Sequence, residues 1–208
     1  KLPFPAAFGS LPGIKNVMIY EYGRLKARRL IESADLFFCL DFNALERLES
    51  LTGLVAKQSA PIIMVDHHLQ PDNIARILIS DPHASSTSEL IFCLLVQIAG
   101  LDKLSAECAQ CVYCGMMTDT GSFTYNSNRS DIFYIISLLL TKGIDKDKIY
   151  RAVYHNYSVN RLRLEGYILH DKMEYFEAEH TSLFCLTKEE MKQYQFKKGD
   201  AEGFVNLP

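Results

Sequence analysis

Residues 35–41 read DLFFCLD, and residues 61–68 read PIIMVDHH. Each is a short, unbroken apolar run that closes on an acidic residue. A run of this length without polar alternation is the pattern of a strand covered on both faces, as in a parallel sheet. A third run, ARILIS, follows at residues 75–80, and Val17–Tyr20 is a further short β-type stretch. Helical spacing fills the gaps. Leu25, Leu30 and Ile31 recur among charges over residues 23–33. Asn43 stands where an N-cap would, with Glu46 three residues on, ahead of a helix predicted over 44–57. Strands that alternate with helices specify βα units and a parallel sheet.

Beyond residue 80 the pattern turns helical. Ser86 or Thr87 caps a helix that runs to about Gly100, and a second helix runs from about Ser105 to Met117. A loop, TDTGSFTYNSN, separates them from helices near 130–141, 145–155 and 158–172. Residues 174–187 alternate in the β manner, and residues 188–194 make a short helix. The expected fold is therefore α/β: a parallel Rossmann-like sheet with flanking helices, followed by a helical segment.

Composition narrows the function classes. Apolar residues make up 48% and charged residues 23% of the 208, which suits a folded globular chain. With 22 Lys and Arg against 25 Asp and Glu, the net charge is −3, which argues against a broad basic face for duplex nucleic acid. A small phosphorylated substrate needs only a local cluster of cations. No apolar run approaches the ~18–20 residues of a membrane span, so no membrane partner is expected. Six cysteines, most in apolar company such as Cys39, Cys93 and Cys185, read as buried free thiols in a reducing cytoplasm. Cys108, Cys111 and Cys114 have an iron–sulfur-like spacing, but their surroundings, SAECAQCVYCGMM, read as a packed helix without the Gly and Pro of a cluster loop.

In an open parallel sheet, ligands sit beyond the carboxyl ends of the strands. Asp41 closes the first long run, and Asp66, His67 and His68 close the second, on strands that would lie ~5 Å apart. This gathers metal-ligand residue types at the expected place. Side chains alternate along a strand, so His67 and His68 are expected to do different jobs, one as ligand and the other toward a substrate oxyanion. Asp119, after an apolar helix and before a Gly turn, joins them only in combination. The basic pairs Arg28-Arg29 and Lys197-Lys198 read as solvated faces, and Arg161 and Arg163, on a helix after the core, are minor candidates for phosphate contacts.

Four segments stand in this order between residues 41 and 123: Asp41-Phe42-Asn43; Val65-Asp66-His67-His68; SSTSEL at Ser85–Leu90; and GMMTDTGSF at Gly115–Phe123. Together they resemble the DHH phosphoesterases, in particular the DHH/DHHA1 branch of nanoRNases, pAp phosphatases and exonuclease-like proteins. The resemblance implies metal-dependent hydrolysis of short RNA or DNA oligonucleotides or of nucleoside 3′,5′-bisphosphate (pAp). Its alternatives are pyrophosphate, polyphosphate or a cyclic dinucleotide as substrate, or a non-catalytic nucleotide-binding domain.

It also implies roles. Asp41 would bridge two Mn2+ ions, with Mg2+ or Co2+ as substitutes. His67 and Asp119 would complete one ion's protein ligands, and His68 would face the phosphate. Asp66 would orient a neighbouring imidazole, and Asn43 would support the site from behind. Two such ions activate water and stabilise charge during in-line displacement. The family's first motif, a His- and Asp-rich cluster on the first βα turn, has no counterpart before Asp35. Glu202-Gly203-Phe204-Val205-Asn206 resembles the opening of the DHHA1 domain. The expectation is a core trimmed at both ends, with residues 1–172 as the DHH core and 173–208 as a linker and the start of DHHA1. Such a piece would bind metal weakly and be inactive alone, and the whole protein is compatible with a homodimer.

Overall fold

The structure is a computed structural model that describes residues 6–155, 157–197, 200, 201, 203 and 204. The chain divides into two compact units, Ser10–Tyr150 and a second formed by residues up to Gly9 together with Arg151 onward.

The first unit opens with helix α1 (Arg24–Glu32), strand β1 (Phe37–Leu40), the short helix α2 (Thr52–Val55), and strands β2 (Ile62–Asp66) and β3 (Ile77–Ser80). The three strands form one parallel sheet in the order β1-β2-β3. Leu40 pairs with Val65, and Asp66 pairs with Ser80. The middle strand is the core. Met64, Val65 and Asp66 are fully buried, and the two apolar side chains contribute about 1.5–3 kcal/mol each by leaving water. The ladder runs one residue past β1, because Asp41 N–H donates to the Val65 carbonyl at 3.1 Å. That bond sets the Asp41 backbone beside the end of β2.

Helices α3 (Thr87–Ala99), α4 (Ala106–Asp119) and α5 (Ser130–Leu140) follow, with α6 (Lys146–Tyr154) after them. Ser86 caps α3 by accepting from Glu89 N–H at 3.1 Å, and Ser105 caps α4 in the same way. Met116 and Met117 are adjacent and both fully buried, so α4 is covered on more than one face. The Cys108–Cys111–Cys114 series lies on α4 as expected, with Cys114 buried and its thiol pushed up to about 11 by burial. Helices α3 and α4 cross closely at Gly115, where an added Cβ would lie 2.0 Å from Ser88 Oγ and 2.9 Å from Ser88 Cβ. Gly115→Ala is therefore expected to cost about 1–3 kcal/mol, the usual range for overpacking. Denaturant melts check this, and Ser88→Gly in the same chain should restore part of the loss.

The parallel sheet and its flanking helices are those read from the sequence, but β1 is not covered on both faces, since Phe38 and Leu40 are exposed, and Cys93 and Cys185 are exposed rather than buried. Further local expectations fail. Val17–Tyr20 is not a strand: Tyr20–Tyr22 is a 3-10 turn, and Val17 is 53% exposed. The helix predicted over 44–57 breaks into a 3-10 segment, Leu45–Leu51, kinked inside at Glu49 with φ 49°, and the four residues of α2. Nor does Asn43 cap it. The cap position falls on Ala44 without a side-chain bond, and the Asn43 amide is engaged elsewhere.

The second unit contains α7 (Val159–Tyr167), which continues as a π-helical turn over Ile168–Lys172. The antiparallel hairpin β4 (Glu174–Phe176) and β5 (Thr181–Leu183) follows, then α8 (Lys188–Gln193). Its core gathers Leu164, Ile168 and Phe204 against Tyr167, Phe184, Leu186, Tyr194 and Phe196. Arg161 belongs to this core rather than to a solvated or phosphate-facing surface. It is 6% exposed, pairs with Glu165 at 2.9 Å, and lies over the Tyr157 and Phe204 rings. Of the segment 202–206, Glu202, Val205 and Asn206 lie outside the described residues, as do Lys198 and residues 207–208.

Glu190 ties this unit together. Its carboxylate accepts from the Thr187 backbone N–H, the Tyr167 hydroxyl and Lys172, which hold it at about 2, well below the ordinary 4.5. A depressed carboxylate contributes stability that is complete above its ordinary value and is lost as pH falls through about 2. Comparing the parent with Glu190→Ala, the gap in Tm should be widest near neutral pH and close towards about pH 2.

Candidate metal centre

The carboxyl ends of β1 and β2 deliver Asp41 and the Asp66-His67-His68 series to one place, and the last residue of α4 delivers Asp119. His67 Nε2 lies 3.3 Å from Asp119 Oδ2 and 3.8 Å from Asp41 Oδ1. Donor atoms ~2.1 Å from a common ion stand roughly 3.0–3.5 Å apart, so the Asp119 separation suits ligands of one cation and the Asp41 separation is slightly wider than that range. One donor atom each from Asp41, His67 and His68 also lie within 4.8 Å of one another.

Each side chain is held from behind. Thr87 Oγ1 donates to Asp41 Oδ1 at 2.8 Å, while the Asp41 backbone takes the left-handed φ of 66°. That conformation is strained for a residue with a side chain, though Asp tolerates it better than most. The His67 ring faces the Ala84 carbonyl at 3.3 Å from Nδ1. A carbonyl only accepts, so a proton carried on Nδ1 would donate to Ala84, while Nε2 faces the Asp119 and Asp41 carboxylates. Asp119 approaches the Asp41, His67 and His68 group through its contact with His67, and acidic and imidazole donors gathered in this way are a set that a divalent cation can use. Burial pushes the Asp119 carboxyl above the ordinary carboxylate range; His67 opposes the shift and Asp41 adds to it.

Asp66 is fully buried. Its Oδ1 meets His68 Nδ1 at 2.7 Å, and its Oδ2 accepts the His68 backbone N–H at 3.0 Å. The His68 ring is thereby fixed with its other nitrogen outward. Strand alternation does not set the two imidazole directions, because β2 ends at Asp66. The rings stand edge to face, 4.9 Å apart and 71° between planes, and their hydrogen bonds to Ala84 and Asp66 aim them. Asn43 Nδ2 donates to the Leu69 carbonyl at 2.8 Å and Asp72 N–H donates to the Asn43 carbonyl at 2.7 Å. Two bonds thus tie the loop after β1 to the loop after the histidines.

A cleft of about 380 Å³ opens beside the carboxylates, lined by Asp41, Thr87, Ser88, Ile91, Gly115 and Asp119 among others. The sequence offers Thr87 only as an alternative cap to Ser86, the cap being Ser86, and it offers no role for the Ala84 carbonyl or for the residues that hold Ala84. The SSTSEL segment was the available signal for Thr87, since a Thr at the start of a helix has its hydroxyl free to reach sideways.

Comparison with known proteins adds the following. The family described as DHH family, N-terminal domain, matches residues 6–116, more than half of the chain. The crystal structure of an exopolyphosphatase-related protein from Bacteroides fragilis superposes with a TM-score of 0.95 at 49% identity, over 99% of this chain and 60% of that one. The probable bifunctional oligoribonuclease and PAP phosphatase NrnA of Streptococcus mutans is 28% identical over 149 residues, 71% of this chain and 46% of that protein. The cyclic-di-AMP phosphodiesterase GdpP of Geobacillus thermodenitrificans is 37% identical over 109 residues, 50% of this chain and 16% of that protein. The chain thus spans less than half the length of these two curated relatives. Among the described residues, no helix is long and apolar enough to cross a membrane.

Proposed function

Because the chain belongs to the DHH family, we propose that it is the metal-binding core of a divalent-metal-dependent phosphoesterase. The proposed substrates are short oligonucleotides or nucleoside 3′,5′-bisphosphate. The observation that carries this is the approach of His67 Nε2 to both Asp119 and Asp41, at 3.3 and 3.8 Å. A mixed imidazole and carboxylate set suits Mn2+, with Mg2+ or Co2+ as substitutes, and two ions are proposed for the full protein. A divalent ion held there supplies charge neutralisation and a water activated at neutral pH.

The chain's own residues do the rest. Asp41, its carboxylate fixed by Thr87, would be a ligand of the bound metal. His68, with Nδ1 tied to Asp66, turns its free nitrogen to the phosphate and steadies charge as it builds in displacement. Asp66 is the orienting partner, and Asn43 holds the two loops in register. We propose residues 1–172 as the core and 173–208 as a connecting segment, while the compact units themselves divide after Tyr150.

A second reading keeps the site and changes the substrate to polyphosphate or a cyclic dinucleotide, in line with the Bacteroides fragilis and Geobacillus thermodenitrificans relatives. Full-length protein assayed with Mn2+ on pAp, a short RNA, polyphosphate and cyclic di-AMP separates the two. The expected result is chelator-sensitive hydrolysis of pAp and the short RNA. Hydrolysis confined to polyphosphate or cyclic di-AMP favours the second reading, and no hydrolysis of any phosphate ester with Mn2+, Mg2+ or Co2+ overturns both.

A further inference from the structure

We propose that Tyr125 is the platform on which the substrate's nucleobase stacks; the proposal rests on the phosphoesterase reading above and narrows its substrate class, because a polyphosphate has no base to offer. Tyr125 is 58% exposed, although the loop that carries it is tightly built. Gly121, Ser122 and Phe123 all take left-handed φ, at 52°, 61° and 66°, and Asn126 follows at 45°. Residues with a side chain rarely adopt that region, and such conformations persist only where surrounding contacts over-determine them. Thr120, fully buried, supplies most of those contacts. Its hydroxyl accepts from Phe123 N–H at 3.0 Å, and its carbonyl accepts from Thr124 N–H and Tyr125 N–H, both at 3.0 Å. Ser127 Oγ donates to the Phe123 carbonyl at 2.7 Å. The Phe123 ring packs against Tyr113 and Phe133, with centroids 5.7 and 6.3 Å away.

What the loop holds outward is the Tyr125 ring. One edge of it rests on Gly121, where an added Cβ would lie 2.7 and 2.9 Å from ring atoms Cδ2 and Cε2. Gly121 is two residues past Asp119, so their Cα atoms are at most ~7.6 Å apart. On the other side, Asn126 Nδ2 donates at 3.4 Å to the Ala84 carbonyl, which faces His67 Nδ1 at 3.3 Å. The ring is thus held between two segments that each reach a residue of the proposed metal centre. A single exposed apolar side chain is ordinary on a protein surface. A ring on a strained and over-determined mount beside metal-ligand side chains is not. A nucleotide whose phosphate sits at the centre carries its base one sugar away. Stacking on an aromatic ring serves any base, since every base has a π-face, and a tyrosine gives up little freedom in doing so.

The test titrates the full-length protein, saturated with Mn2+, with AMP and with ribose 5-phosphate, which share a sugar phosphate and differ by the base. The parent should prefer AMP. Tyr125→Ala should weaken AMP by roughly 5–150-fold, the range that stacking of one base supplies, and leave ribose 5-phosphate unchanged. Tyr125→Phe keeps the ring and should bind AMP like the parent. If Tyr125→Ala fails to fold, Tyr125→Leu decides, since it keeps apolar cover over Gly121 without an aromatic face. Parent-like AMP affinity in the folded variant overturns the proposal, as does a fall in AMP affinity matched by ribose 5-phosphate. A parent that binds the two ligands equally overturns it as well. Hydrolysis of pAp keeps the two readings apart. Hydrolysis by the parent with an unchanged KM in Tyr125→Ala sinks only the stacking role. No hydrolysis of any phosphate ester by the parent sinks the phosphoesterase reading itself.

Discussion

Asp41→Gly should abolish metal binding and hydrolysis while leaving stability within about 1 kcal/mol of the parent. Asp41 holds a left-handed φ of 66°, which costs a residue with a side chain about 1–2 kcal/mol and glycine nothing. The substitution also removes the Thr87 hydrogen bond, a loss of about 0.5–1.5 kcal/mol. The two effects nearly cancel. Like-charge crowding with Asp119, which raises that carboxyl, disappears as well. Function has no such compensation, because the carboxylate proposed to ligate the metal is gone. The loss in Mn2+ affinity should exceed the ~100-fold typical of outer partners. Thermal melts beside calorimetric titration check the pair of outcomes. A large fall in Tm would mean that Asp41 is chiefly a structural residue.

The second large effect separates the two histidines. His67→Ala in the full-length protein removes the nitrogen that faces Asp41 and Asp119. Metal affinity should fall by about 10–100-fold or more, and added Mn2+ should recover part of the activity. His68→Ala leaves that nitrogen in place and should leave metal affinity nearly intact. Its loss should appear in kcat, because a donor at the phosphate helps most as charge builds in the transition state. It also strands the buried Asp66 carboxylate without its imidazole partner, so the variant should be less stable as well. Asp66→Asn keeps a hydrogen-bond acceptor for the ring and should lose less turnover than His68→Ala. The position of donor atoms from both imidazoles within 4.8 Å of Asp41 makes the comparison necessary. Equal losses of metal affinity in the two variants would mean that both ligate.

The two apolar runs made the sheet legible, because an unbroken run of β-type residues closing on Asp has few other uses. Their register then fixed where Asp41 and Asp66 stand. What remained hidden was set by contacts distant in sequence. Asn43 and Glu46 have the spacing of a helix start, yet the Asn43 amide is taken by the Leu69 carbonyl 26 residues away. The predicted 44–57 helix breaks at Glu49. The imidazole directions were assigned from strand alternation, but β2 stops one residue too soon, and Ala84 and Asp66 aim the rings instead. Arg129 looked only like the residue before a helix, since its grip on His83 spans 46 positions. Arg161 looked like surface because its cover comes from the Tyr157 and Phe204 rings. A helical period shows which face is polar and says nothing of an aromatic ring brought over it.

The central claim is that His67, with Asp41 and Asp119, holds a divalent ion through its Nε2. Pulsed electron paramagnetic resonance on Mn2+ bound to this protein reports directly whether an imidazole nitrogen is attached to the ion. The account expects nitrogen modulation in the parent, its loss in His67→Ala under saturating Mn2+, and its retention in His68→Ala. Modulation unchanged by His67→Ala, or lost only in His68→Ala, would contradict it.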